Sequence, residues 1–434
     1  MFTSYDQALN WIHSRLRLGV KPGLKRMEWM MERLQHPERR IRAIHVAGTN
    51  GKGSTVSYIR SILQEAGYEV GTFTSPYIEQ FNERISINGV PISNEEMLDL
   101  VNQIKPLADE LEQTDLGSPT EFEVITAMSL LYFGYTHLTD FVIYEVGLGG
   151  RLDSTNIVHP MVSVITTIGF DHMSILGNTI EEITFEKAGI IKSGIPVITG
   201  VQQFEALNVI EKVAKEKKAK VYLYNRDFLI EHDAPVPSIG ERFTFCSERN
   251  RIENLEISMK GAHQVLNASL AVKVIEYLQT YFSVQIDEGH IRKGLFKMFW
   301  LGRFETVCEQ PHIIIDGAHN PEGIQELIKT VQSHVKDQEI TVMFSALQDK
   351  KLDEMIQLLQ SIGKKLIFTS FDFPRAVPAE KLFESFPYHH AEMHIDYKQA
   401  IEQTIHSMEK NEVLLITGSL YFISEVRQYL KNRA

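Results

Sequence analysis

Gly48-Thr49-Asn50-Gly51-Lys52-Gly53-Ser54 brings glycines and a lysine together between an apolar run and a helical pattern. Glycines let successive N–H groups turn toward phosphate oxygens, and a helix start adds partial positive charge. Lys52 supplies a full charge for the β- and γ-phosphates. The common phosphate loop has a further glycine where Val46 stands here. Gly53 occupies the usual Ser/Thr position after the lysine, so magnesium must find its ligands elsewhere in the chain. Glu145 closes an apolar run and precedes Gly147, Gly149 and Gly150. A carboxylate at the carboxyl end of a strand faces the ligand crevice of an open α/β sheet, and magnesium takes hard oxygen ligands. Ser75, before Pro76, reads by itself as a turn serine, and His172 by itself is ambiguous.

The elements that position these groups follow from periodicity. Ile41–Ala47, Val70–Thr74, Phe141–Val146, Val162–Ile168 and Ile195–Thr199 read as strands, and Thr55–Ala66 as an amphipathic helix. Both faces of the 141–146 and 162–168 runs are apolar, as in buried parallel strands. A polar, turn-rich stretch between Glu231 and Asn254 leaves room for short antiparallel strands at Phe243–Phe245 and Leu255–Met259. A helix over Gln264–Tyr281 follows. The alternation restarts after Arg303, with strands at His312–Ile315, Ile340–Phe344, Lys365–Thr369 and Val413–Thr417. The pattern predicts an α/β protein: a mostly parallel phosphate-loop ATPase domain over 1–297 and a smaller Rossmann-like α/β domain over 298–434. The basic segment Lys212–Lys220 reads as a solvated helix face.

Composition sets the remaining bounds. A chain of 434 residues with 43% hydrophobic and 23% charged residues buries a full core without staples. Two cysteines, Cys246 and Cys308, exclude a cysteine-built zinc cluster or disulfide scaffold and fit a reducing compartment. A net charge of −12 argues against general binding of nucleic acid or anionic lipid. The N-terminus shows no signal-peptide pattern and no apolar run is long enough to span a membrane. A cytoplasmic monomer is the expectation.

The loop AGTNGKGS resembles that of the Mur ligase superfamily and, within it, of the folylpolyglutamate synthase family. The resemblance covers nearly the whole chain. It runs through TSP at 74–76, FNERI at 81–85, EVGLGGRLDSTN at 145–156, DHMSILG at 171–177 and EKAGIIK at 186–192. LGRFE at 301–305, DGAHNP at 316–321 and ITGSLYF at 416–422 complete it. It implies that Thr49, Asn50, Gly51, Lys52, Gly53 and Ser54 bind ATP, and that Ser75, Glu145 and His172 hold Mg2+. Histidine is an unusual magnesium ligand, which points to a second metal position for His172. Asn267 matches the residue that reads adenine, and Gln264 stands where many superfamily members carry asparagine. Arg303 matches an arginine that reaches from the domain linker to the phosphates, where a guanidinium neutralises charge on a transferring phosphoryl group. Leu301 replaces the usual proline beside it, Asp316 suits ribose hydroxyls, and His319 lies nearby.

For folate the resemblance implies three loops: Lys21, Pro22, Gly23 and Leu24; Thr120, Glu121, Phe122 and Glu123; and Leu152, Asp153 and Ser154. Phe122 is placed as a stacking wall, and Ser419 and Tyr421 at the incoming glutamate. The implied reaction is ATP-dependent amide ligation of L-glutamate to folate through an acyl phosphate, with dihydropteroate left open as a second acceptor. Lys187 alone reads as a solvated helix lysine, whereas the resemblance implies a carbamylated N6-carboxylysine that orders the metal site. Lys52, His172, Lys187 and Arg303 are the catalytic candidates.

Overall fold

A computed structural model describes residues 1–232, 240–386 and 389–433. Part of the polar stretch after Glu231 therefore lies outside the described residues. Eight strands form the first sheet: β1 Ala43–Ala47, β2 Val70–Phe73, β3 Ile85–Ile87, β4 Val90–Pro91, β5 Phe141–Glu145, β6 Val162–Ile165, β7 Val197–Thr199 and β8 Val221–Leu223. Their order is β4-β3-β2-β5-β1-β6-β7-β8. From β2 to β8 neighbours run parallel, while β3 and β4 pair antiparallel at one edge. The 141–145 run is buried throughout because helices cover both faces.

A three-stranded antiparallel sheet, β9 Phe228–His232, β10 Glu241–Ser247 and β11 Arg251–Ile257, follows in the order β11-β10-β9. Helix Ala262–Phe282 packs between it and helix Lys52–Glu65, sharing one core with Phe243, Phe245 and Ile257. The second large sheet holds β12 Glu305–Glu309, β13 His312–Ile315, β14 Glu339–Phe344, β15 Lys365–Ser370, β16 Ala391–Asp396 and β17 Glu412–Thr417. Its order is β12-β13-β17-β14-β15-β16, parallel except for β12 at the edge. The architecture is α/β throughout, with a larger and a smaller mostly parallel sheet.

Several sequence expectations shift at their ends. The strand expected over 162–168 stops at Ile165, because the Thr166 and Thr167 hydroxyls turn aside to donate to the Asn50 carbonyl at 2.6 and 3.1 Å. The helix expected from Thr55 begins at Lys52, so the lysine occupies its first turn. The edge strands β12 and β16 had no expectation, since neither carries a continuous apolar run. The lysines of 212–220 are exposed, but the helix ends at Glu216, so the face is only partly helical.

A latch ties the last helix, Leu420–Arg433, back to the chain just past Pro76. Buried Arg427 donates to Glu305 at 2.8 Å and also pairs with Glu79, which Lys431 reaches as well. Ser424 donates to the Ile78 carbonyl. Glu305 in turn accepts from the Gly302 N–H at 2.8 Å, fixing the segment that carries Arg303.

Candidate active site

The carboxyl ends of both parallel sheets open onto one cavity of about 1130 Å3. Lys52, Ser75, Glu145 and Thr167 line it from the first sheet, and Asp316, Ser419 and Tyr421 from the second. The phosphate loop is fastened from behind. Thr49 N–H donates to Thr167 O at 2.8 Å, and Asn50 N–H to the Thr167 hydroxyl at 3.1 Å. Gly51 has φ +87°, and a Cβ there would stand 2.3 Å from Asn267 Oδ1. A Cβ on Gly53 would stand 2.9 Å from the Trp300 ring. The indole fills the space that a serine or threonine would take in the common loop, which accounts for glycine at that position.

Lys52 Nζ donates to the carbonyls of Gly48 and Thr49 at 3.1 and 3.2 Å. Lys187 Nζ reaches the same Gly48 carbonyl at 3.1 Å and is only 5% exposed, which overturns the local reading of a solvated lysine. Burial and the Lys52 charge together press its pKa down to about 7, against the opposing pull of Asp171 and Asp153. Glu145 is buried, and desolvation raises it to about 6 although Lys52, the Ser75 N–H and Arg303 favour its charge.

Glu145 Oε2 accepts from the Ser75 N–H at 3.3 Å, so a carboxylate and a hydroxyl, both hard oxygens, sit together beside the phosphate loop. That pair fits a magnesium ion. No three His, Cys, Asp or Glu side chains among the described residues form a ready cage, and magnesium itself uses few protein ligands. His172 lies apart, with Nδ1 at 3.9 Å from Asp349 and Nε2 at 3.8 Å from Asp171. Burial lowers it to about 4, so its imidazole is neutral with a lone pair free.

Arg303 is enclosed in the cavity wall between Asp316 and Glu145, and burial lowers its pKa against both carboxylates. Asp316 is already engaged. Its two oxygens accept from the Phe304 and Ala318 N–H groups at 2.8 Å each, stapling the Arg303 segment to β13. His319 Nδ1 lies 2.8 Å from the Gly317 carbonyl and its Nε2 3.5 Å from Asp171. Burial opposes charge on Asp171, but the hydrogen bond from His319 and the nearby Lys350 ammonium hold it well below the carboxylate range. Asn50 and Asn320 exchange side-chain hydrogen bonds at 3.0 Å each, joining the phosphate loop to the cap of helix Pro321–His334.

The three loops singled out for folate come together. Gly23 N–H donates to Leu152 O at 3.4 Å, and Lys21 Nζ to Ser118 O at 3.2 Å. Lys21, Pro22, Thr120, Glu121, Phe122, Leu152, Asp153 and Ser154 line the cavity. Gly23, Leu24 and Glu123 do not. Glu123 is spent on structure: it accepts from Arg26 Nε at 2.8 Å and closes the capping box on Thr120. Phe122 lies against Gly147, whose Cβ would meet the ring at 2.4 Å. Tyr421 stacks on Phe373 with centroids 4.3 Å apart. Arg84 and Arg375 also line the cavity, and both bear on Tyr421 electrostatically. Neither had been given a role from sequence. Arg84 lies inside the FNERI motif, but nothing in the motif shows which cavity it enters.

The Mur ligase middle domain matches residues 46–275, and the Mur ligase glutamate ligase domain residues 302–420. The dihydrofolate synthase/folylpolyglutamate synthase of Bacillus subtilis is 51% identical over 99% of this chain and 100% of its own length. A folylpolyglutamate synthase of Mycobacterium tuberculosis complexed with ADP superposes with a TM-score of 0.90 at 28% identity, covering 98% of each chain. A complex described as FPGS-AMPPCP-folate superposes at 0.86 with 32% identity, covering 99% of this chain and 100% of its own. Sequence, fold and cavity therefore agree that the chain belongs to the Mur ligase family, in its folylpolyglutamate synthase branch.

Proposed function

We propose that this cavity joins L-glutamate to the γ-carboxylate of a folate, and to the carboxylate of dihydropteroate, with ATP as the activating substrate. The observation that carries the reading is the meeting of Lys52, from the first sheet, and Arg303, from the segment leading into the second, around Glu145. Two cations from opposite walls of one cleft suit phosphoryl transfer to a carboxylate. The acceptor carboxylate attacks the γ-phosphorus and the bond to ADP breaks. The glutamate amine then attacks the acyl carbon, an amide forms and phosphate leaves.

Thr49, Asn50, Gly51, Lys52, Gly53 and Ser54 cradle the phosphates, and Asn267 lies on the same wall. Asp316 orients Arg303 through the backbone, and His319 adds to that wall. Ser75 and Glu145, with His172 at a second position, would hold Mg2+, which when bound neutralises phosphate charge. Lys187 is carbamylated in the working enzyme. Its pKa near 7 supplies the neutral amine that adds to CO2. Folate lies along Lys21, Pro22, Thr120, Glu121, Phe122, Leu152, Asp153 and Ser154, while Gly23, Leu24 and Glu123 shape those loops. Glutamate lies by Ser419 and Tyr421, where Arg84 and Arg375 offer partners for its carboxylates.

The chain divides near residue 298 into an ATP- and folate-binding part and a part that completes the ATP and glutamate sites. Closure of one on the other precedes chemistry. A cytoplasmic monomer is the working form. No helix among the described residues is long and apolar enough to cross a membrane. The test is product mass spectrometry with dihydropteroate and tetrahydrofolate offered separately, each with ATP and glutamate. A one-glutamyl mass increment is expected on each, and absence of both with release of ADP only would overturn the reading.

A further inference from the structure

His45 lies in the middle of β1 and is fully buried, a costly place for a polar ring unless it has a task. Its Nε2 lies 2.9 Å from Thr155 Oγ1. The Thr155 hydroxyl in turn donates to Asp153 Oδ1 at 2.5 Å, and the Thr155 N–H donates to the same oxygen at 2.9 Å. Asp153 Oδ2 accepts from the Leu148 N–H at 2.8 Å. A hydroxyl carries one proton. Because Thr155 gives its proton to Asp153, His45 must be the donor to Thr155, which places the imidazole proton on Nε2. Nδ1 has no partner and carries the lone pair. Burial and nearby Lys192 depress the ring to about 3, so it stays neutral and the tautomer is fixed.

We propose that His45 is a positioning residue for the acceptor substrate: its Nε2–H locks the Thr155 hydroxyl toward Asp153 and so fixes the Asp153 carboxylate on the cavity wall. Asp153 is buried yet lines the cavity. Burial pushes its pKa up, and the Thr155 hydroxyl with the N–H groups of Leu148, Thr155 and Gly147 pulls it back. The relay thus holds a carboxylate of fixed direction on the cavity wall, where it sets the charge and shape that the acceptor meets. Without the His45 donor, the Thr155 hydroxyl loses the partner that fixes its rotamer, and Asp153 is left with its three N–H donors and a weakened hydroxyl bond on Oδ1. The proposal rests on the reading of the 152–154 loop as part of the folate site.

Steady-state kinetics with tetrahydrofolate, ATP and glutamate test it. His45→Leu removes the donor, whereas His45→Gln keeps an N–H near the Nε2 position. His45→Leu is expected to raise the tetrahydrofolate KM about tenfold, the loss expected for one buried hydrogen bond in a network, and to leave the ATP KM within about twofold. His45→Gln is expected to recover most of that loss. Thr155→Val should match His45→Leu, and it serves as the probe if His45→Leu does not fold. A purely structural role would lower the unfolding temperature and move both KM values together or neither. Equal effects of His45→Leu and His45→Gln on the tetrahydrofolate KM would overturn the relay. So would a raised KM in Asp153→Asn beside an unchanged one in both His45→Leu and Thr155→Val. An unchanged tetrahydrofolate KM in Asp153→Asn would instead overturn the folate assignment of the loop itself.

Discussion

Lys52 and Lys187 share the Gly48 carbonyl, and that shared acceptor separates their chemistry. Lys52 is the one that stands in the phosphate loop. Lys52→Ala should therefore lower ligation by roughly a hundredfold or more in a protein that still folds, read as turnover beside a thermal unfolding curve. Arg303→Ala should depress kcat at least about tenfold while moving the folate KM less, since its target is charge on the transferring phosphoryl group. Lys187, fully desolvated and crowded by Lys52, is the lysine able to shed its proton near pH 7. Below about 7 it is an ammonium and does not add to CO2; above it the amine is free. With 13C-bicarbonate, a carbamate resonance should grow as pH rises through that value and be missing in Lys187→Ala. A pH-independent resonance, or one that persists in Lys187→Ala, would remove the assignment.

At the scale of elements, the first turn of helix Lys52–Glu65 is shaped by an indole from far along the chain. Gly53→Ser should cost about 1–3 kcal/mol by crowding Trp300, and much less in a Trp300→Ala background, measured by denaturant unfolding. The phosphate loop itself was legible because everything that defines it lies within a few residues after a strand. Glu145 was legible for the same reason, as a carboxylate ending an apolar run. Trp300 against Gly53, Glu123 on Arg26 and His45 on Thr155 were not, because each pair is joined only by tertiary packing. Asp316 reads from its type as an acceptor for sugar hydroxyls, and what the type alone does not show is that its oxygens also take the N–H groups of Phe304 and Ala318. Strand identities were readable from buried parallel runs, whereas edge strands such as β16 hide among polar residues. Lys187 shows the limit of helix periodicity, since its face is buried by the phosphate loop of another element.

On the scale of the whole molecule, the two sheets share one cavity, so their relative placement is part of the chemistry. Arg427 helps fix that placement, bridging Glu305 at the edge of the second sheet and Glu79 beside the first. Arg427→Ala should cost about 3–5 kcal/mol in unfolding experiments, because it strands the buried Glu305 carboxylate, and Arg427→Ala with Glu305→Gln should recover part of it. The latch is also uneven in its exposure. Arg427 and Glu305 side chains are each 8% exposed, whereas Glu79 is 38% and Lys431 55% exposed. Dissolved ions reach only the outer half. At about 0.1 M salt the screening length is roughly 10 Å, so added salt weakens the Lys431 contact and leaves the Arg427–Glu305 pair nearly intact. That pair lies inside the smaller sheet's own region, whereas the tie across to the first sheet is made at Glu79, by Arg427 and Lys431, and by the uncharged Ser424–Ile78 bond, so ionic strength thins the tie between the sheets in part and leaves the interior of the second one alone.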